Sequence, residues 1–452
     1  MKIIISARRF VQPLLGGVDV YADRLRRALE RLGHEVAILS IDSNAEQHNE
    51  GINIHSESFN GTNIFRINLS GQGLSQRTFY NAYDPEIGRA VKDLLREQKP
   101  DLFIIMNFYM LTLAPVEAAK ELKIPVVHIA TDFVPICRRS TFIRWDGQPC
   151  QTGESTKSCA ACFVSHRVSG RVTSSILNRF PEDTLKRWAN SHDSHRFPSP
   201  LWILKSYWKQ VSIMDQRLRT LQPLRDQIDL ILTPTNFAYR IFRTNGFKPE
   251  RVYHFPFGVE LDDPLDKRNN SNASAVRFLF VGRFQPYKGA HLLVDAFNNL
   301  HEPQGATLTL YGGPHGYESY YKNLKSRIAT NDRIHFGGIL APTELKRAFA
   351  ETDYFVLPST WHENSPLILL DALQSQTPVI ASDVGGVTDL IEDGINGLLF
   401  PMGDKQALQK AMQKAIDQPA LVEKLRKGIH LPDIDEYAEK LVELCRELNL
   451  VQ

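Results

Sequence analysis

The chain has 452 residues, with 53 Lys and Arg against 51 Asp and Glu and a formal net charge of +2. Charge this evenly balanced sets up no global field for nucleic acid, so any anionic partner must be met by local basic clusters. A content of 42% hydrophobic and 23% charged residues excludes disorder over most of the length, and no segment approaches the roughly 20 apolar residues of a membrane-spanning helix.

The opening MKIIISARRF is too short in its apolar run for a signal peptide and reads as a strand over Ile3–Ser6, so a cytoplasmic location is expected. Gly16 and Gly17 precede a helical pattern from Asp19 to Leu32, and Gly33-His34 turns into a strand at Val36–Ser40. The glycine pair lets the backbone approach a ligand closely, although a plain turn would use the same residues. Further strand signals fall at Ile64–Ile67, Leu102–Met106 and Val126–Ile129, with a helix over Ile87–Gln98. This alternation implies a mostly parallel sheet covered by helices. Asp132 follows the end of the Val126–Ile129 strand.

From Cys137 to about Leu224 the alternation stops, which marks an insertion. Cys137, Cys150, Cys159 and Cys162 form C-x12-C-x8-C-x2-C in a hydrophilic loop with Gly147, Pro149 and Gly153. Four thiolates at this spacing suit a structural tetrahedral zinc, with an iron–sulfur cluster or unligated thiols as alternatives. Arg187-Trp188, His195-Arg196-Phe197 and the run Leu201–Lys209 combine aromatic and basic residues. They could meet the inner face of a membrane or a lipid-linked acceptor, but helix packing on the first domain is favoured. Strand character returns at Leu230–Thr233.

After His254–Val259 a polar linker with Asn269, Asn270, Ser271 and Asn272 leads into a second β/α series. Its strands are expected at Arg277–Val281, Thr307–Tyr311, Arg333–Phe336, Tyr354–Leu357, Pro378–Ala381 and Gly397–Phe400, a second doubly wound domain. One more amphipathic helix is expected over Asp433–Leu448, with Cys445 a packed side chain. The expected division is 1–258 with the insertion at about 137–224, 259–432, and a final helical segment 433–452.

Within the second series, Glu363 and Asp371 stand eight positions apart around a helix start. Asn364 and Ser365 are good N-cap residues, Pro366 fits the first helical position, and Leu367 and Ile368 carry the helix inward. Such a start carries roughly half a positive charge and accepts an anion such as a diphosphate. Arg283 and Lys288 follow a strand end, where a planar fork and a compact ammonium can converge on the same phosphates.

Taken together, Gly16-Gly17-Val18, Gly33-His34-Glu35-Val36, Val281-Gly282-Arg283 with Lys288-Gly289, and the block Glu363–Gly386 resemble a retaining glycosyltransferase of family 4. The block looks like the Glu-x7-Glu motif of that family, and the resemblance covers nearly the whole chain. It implies the GT-B fold: two Rossmann-like α/β domains facing across a cleft, with acceptor bound by the first and nucleotide sugar by the second. The final helix would cross back to the first domain.

The resemblance implies a role for each matched residue. Glu363 would contact the donor hexose and Asp371 the ribose, the latter one methylene shorter than usual. Asn364, Ser365, Pro366, Leu367 and Ile368 would line the sugar and phosphates, with the amides of Leu367 and Ile368 as donors. Gly16 and Gly17 would face phosphate or acceptor, and Gly338-Ile339 would lie where the base is held. Many relatives carry His-Asp where this chain has Thr131-Asp132, so Asp132 could take over polar contact with the reacting sugar or the acceptor hydroxyl, with a helix cap or loop stabiliser as the alternative.

The expected reaction is hexosyl transfer from a nucleoside diphosphate sugar to a hydroxyl of a glycan or glycolipid in surface polysaccharide or glycoconjugate synthesis, with no cofactor for the chemistry. A GT-B epimerase or phosphorylase and a catalytically silent partner subunit are the alternatives.

Overall fold

In the computed structural model Ile3, Ile4 and Ile5 of the first strand are all fully buried. Ile4 sits in the core on one face of the sheet, and Ile3 and Ile5 in the core on the other. A strand buried on both faces belongs inside a parallel sheet flanked by helices. The structure describes residues 1–10, 14, 16–42, 51–59, 61–70, 82–148, 150, 155–165, 172, 175–176, 179–191, 202–261, 275–301, 305–328 and 331–452.

The first half contains β1 (Lys2–Ser6), α1 (Gly17–Arg31), β2 (Glu35–Asp42), β3 (Gly51–Phe59), β4 (Thr62–Ser70), α2 (Pro85–Gln98), β5 (Leu102–Ile105), α3 (Ala114–Glu121) and β6 (Val126–Ile129). It continues with α4 (Thr156–Val164), α5 (Glu182–Ser191), α6 (Trp202–Arg225), β7 (Leu230–Thr233), α7 (Asn236–Thr244) and β8 (Val252–His254). Strand order is β3-β4-β2-β1-β5-β6-β7-β8. Only the β3–β4 pair is antiparallel among these described neighbours.

The second half contains β9 (Val276–Val281), α8 (Ala290–Phe297), β10 (Ala306–Tyr311), α9 (Glu318–Ile328), β11 (Ile334–Gly338), α10 (Pro342–Ala350), β12 (Tyr354–Leu357) and α11 (Leu367–Gln374). It ends with β13 (Val379–Asp383), β14 (Gly397–Pro401), α12 (Lys405–Asp417), α13 (Leu421–Arg426) and α14 (Ile434–Glu447). Its sheet is fully parallel with order β11-β10-β9-β12-β13-β14. Both sheets therefore reverse direction beside their first strand, at β1/β5 and β9/β12. Ligands of such sheets bind outside the carboxyl ends of the strands at that point.

Helix α14 returns to the first half. Tyr437 meets Tyr21 of α1 edge to face with centroids 6.0 Å apart, and Arg31 pairs with Asp435 at 2.5 Å. The bridge Val259–Asp433 and the close fit of Gly258 against the Asp433 and Ile434 backbone fix the crossing.

Between β6 and β7, the helices α4, α5 and α6 gather a small core from Ala160, Ala161, Val164, Leu185, Tyr207, Val211 and Met214, with Trp208 packed against it. Tyr207 and Trp208 thus pack into this small helical core rather than into the cores of the first-domain sheet. The side chains of Arg187, Trp188 and 202–206, the segment His195-Arg196-Phe197, Leu201, and the linker Asn269–Asn272 lie outside the described residues. Helix α6 also pins the loop after β6: Arg217 donates to the Val134 carbonyl at 2.5 Å, and Arg225 donates to that of Pro135. No helix among the described residues is long and apolar enough to cross a membrane.

Candidate active site

Two helix starts meet where the sheets reverse. A Cβ built on Gly17, the first residue of α1, would lie 3.1 Å from Leu367 Cδ1, the first residue of α11. Neither helix has a side-chain cap. The expectation for α11 is corrected by one residue: Pro366, not Asn364 or Ser365, occupies the N-cap, and the helix begins at Leu367. Asn364 is occupied elsewhere. Its amide donates to the Ala130 carbonyl at 2.6 Å and accepts from Thr235 at 3.4 Å, joining the two domains. Ser365 Oγ is buried with no hydrogen-bond partner among the described residues. The first-turn amides of α1 and α11 are left for an anion, each end carrying roughly half a positive charge.

Acids and cations stand around these starts. Glu363, only 4% exposed, gathers three donors on Oε1: Lys288 Nζ, Ser359 Oγ and Trp361 Nε1, each at 2.7 Å. Lys288 also lies over the Trp361 ring, 4.8 Å from its centroid. The carbonyl of Glu363 accepts from the Gly386 N–H at 2.7 Å, which ties the motif to the loop after β13. A carboxylate so loaded on one oxygen keeps Oε2 for a hydroxyl. Arg283, by contrast, is exposed and has no carboxylate partner among the described residues.

Asp371 lies one turn into α11, where its Oδ1 accepts from Arg24 Nη2 of α1 at 2.8 Å. Burial pushes its carboxyl up, and Arg24 pulls it back. On the other side of the cleft, Asp132 accepts from the N–H groups of Val134 at 2.7 Å and Phe108 at 3.2 Å. Burial raises it to about 6 despite those bonds. His128 is fully buried with Nδ1 on the Ile105 carbonyl at 2.8 Å, and burial drops it to about 4. Gly338 ends β11 at φ +74, and Ile339 beside it is 70% exposed above Gly313.

The geometry adds a residue with no motif around it. Arg8, just after β1, lies over the Tyr109 ring at 4.2 Å, and Arg283 of the opposite domain is near enough to lower its pKa. A basic residue directly after the carboxyl end of the first strand is the sequence signal that could have found it.

The zinc expectation finds no support. Among the described residues no group of three or more His, Cys, Asp or Glu is arranged to hold a metal. Cys137 and Cys150 pack against the first-domain core, and Cys159 packs against the small helical core. Burial pushes the thiols of Cys137 and Cys162 up, and Cys150 lies near enough to raise each of them further. Pro149 and Gly153 of that loop lie outside the described residues, and Cys445 is fully buried on α14.

Residues 15–132 match the family model for Glycosyltransferase Family 4, and residues 262–430 that for glycosyl transferases group 1. The chain is 28% identical over 225 residues to a D-inositol 3-phosphate glycosyltransferase of Jonesia denitrificans, covering 46% of this chain and 53% of that protein. It is 27% identical over 205 residues to the amylovoran biosynthesis glycosyltransferase AmsK of Erwinia amylovora, 43% and 49% of the two chains. The chain thus spans about half the length of these curated relatives. Among solved structures, HepE of Anabaena in complex with UDP and glucose superposes with a TM-score of 0.64 at 16% identity, covering 99% of this chain and 100% of that one. The sucrose-phosphate synthase of Thermosynechococcus elongatus gives 0.66 at 19%, covering 99% of each.

Proposed function

The chain is a glycosyltransferase of family 4 with the GT-B fold, and from that premise we propose that it moves a hexosyl group from a nucleoside diphosphate sugar to a hydroxyl of a glycan or glycolipid, with retention. One observation carries the reading: the uncapped starts of α1 and α11 meet at Gly17 and Leu367, with the Lys288–Glu363 pair just ahead of α11. The UDP and glucose of HepE support a nucleotide-sugar donor, and the amylovoran enzyme supports a role in polysaccharide synthesis.

In this reading the diphosphate lies between the two helix starts, bonded by the amides of Gly17, Val18, Leu367 and Ile368. Arg283 and Lys288 stabilise the charge that builds on it as the C1–O bond breaks. Glu363 holds Lys288 on one oxygen and a hexose hydroxyl on the other, which orients the sugar. Asp371, turned by Arg24, accepts from the ribose. Gly338 and Ile339 flank the base. The acceptor hydroxyl attacks C1 from the face the diphosphate leaves, and its proton passes to the departing phosphate oxygen, so no protein nucleophile or cofactor is needed. Asp132 orients the acceptor hydroxyl.

A thermal-shift screen of nucleoside diphosphate sugars tests this, because a ligand bound only by the folded chain raises its unfolding temperature. The stabilising donor, incubated with an acceptor panel, should release nucleoside diphosphate only when a glycan or glycolipid hydroxyl is present. A donor sugar epimerised without acceptor, or no stabilising donor at all, would overturn the reading.

A further inference from the structure

We propose that Arg8 and Arg283, one from each domain, form a seat for the terminal phosphate of a nucleoside diphosphate, an assignment that rests on the nucleotide-sugar reading above. Arg8 leaves the carboxyl end of β1 beside the switch point with β5, and its own N–H and that of Arg9 both donate to Asp19 Oδ1 at 2.9 Å. The turn is thereby fixed. Its guanidinium lies 4.2 Å from the centroid of Tyr109, a residue from the loop after β5 on the other side of the switch point. Nε of Arg8 is buried and has no hydrogen-bond partner among the described residues.

The nearest acids are already used. Asp19 accepts the Arg8 and Arg9 amides, and Asp132 accepts those of Phe108 and Val134. Across the cleft stands Arg283, also without a carboxylate. Burial lowers the Arg8 pKa, Tyr109 raises it, the nearby Arg283 lowers it again, and Asp19 raises it in turn. A planar fork on Arg8 with its Nε unpartnered, near an exposed Arg283 that has no carboxylate partner among the described residues, matches a phosphate with oxygens on either side. A terminal phosphate is the better fit than an inner one because Arg8 lies on the Asp132 side, where bond cleavage is proposed. An acceptor phosphate presents the same chemistry from the other direction.

Calorimetry on the full chain and its R8A and R8K variants would compare UDP, GDP and ADP with their monophosphates, using whichever base the native chain binds. R8A should lose at least tenfold in diphosphate affinity and less than twofold in monophosphate affinity, with R8K recovering part of the loss. An unchanged diphosphate-to-monophosphate ratio in R8A overturns the seat. So does a defect seen only when myo-inositol phosphate is added to the diphosphate-saturated protein, which would give Arg8 to the acceptor. If the native chain binds no nucleoside diphosphate, the nucleotide-sugar reading fails first and the seat with it. Near-ultraviolet circular dichroism identifies a misfolded R8A, in which case R8K and R8Q carry the comparison.

Discussion

Arg24 Nη2 donates to Asp371 Oδ1 at 2.8 Å, which joins the first helix of one domain to the site helix of the other. The two side chains are 12% and 15% exposed, and Glu260 approaches Arg24 to 3.9 Å. Removing one partner of a buried pair leaves the other charge without compensation. R24A should therefore lose about 3 kcal/mol in urea unfolding, and R24M/D371L should recover most of it. A loss below about 1 kcal/mol in R24A would show that the pair does not hold the domains.

Asp132 gives a pH dependence with a defined sign. Its folded pKa of about 6 lies above the ordinary 3.8, so the folded chain binds more protons than the unfolded chain between those values. Stability from this group is greatest at low pH and falls as pH rises through the window, by roughly 3 kcal/mol at most. His128, with a lowered pKa of about 4, acts in the opposite sense and is common to both proteins compared. Urea unfolding of the native chain and D132N at pH 4.5 and 7.5 should show D132N gaining relative stability at the higher pH. A constant difference contradicts the burial argument.

The pair Lys288–Glu363 should govern turnover more than donor affinity. K288A leaves a carboxylate that is 4% exposed with only the neutral donors Ser359 and Trp361 on its Oε1, and removes a cation from the leaving group. Steady-state kinetics should show kcat down about 100-fold or more with a far smaller change in donor KM. Unchanged kcat would remove Lys288 from the chemistry.

Gly386 is set by steric fit. A Cβ there would run into the Asn364 carbonyl oxygen and Thr235 Cγ2, the same residues that join the domains. G386A should cost about 3 kcal/mol or more in unfolding free energy, because a backbone atom cannot move aside as a side chain can. Native-like stability in G386A would contradict this packing.

Much of the fold was legible because buried parallel strands are uniform apolar runs. Val126–Ile129, Leu230–Thr233 and Tyr354–Leu357 fall where the sequence placed them. Strand β3 was missed: Ile52 and Ile54 alternate with polar residues on an antiparallel edge, a weaker signal than a continuous run. Glu363 and Lys288 were legible from local motifs, and the structure puts them in contact. The start of α11 was misread because Asn364 caps nothing and bonds across the cleft instead, a use that no local pattern encodes. Arg24 and Arg8 were missed for the same reason, since their partners lie 347 residues away in one case and across the domain interface in the other.

Following the anomeric proton by NMR while the native chain and R283A turn over an α-linked nucleoside diphosphate hexose tests retention and the role of Arg283 together. The native chain should give an α-linked product, and R283A the same product at least 100-fold more slowly. A β-linked product would contradict retention, and an undiminished rate in R283A would contradict that role.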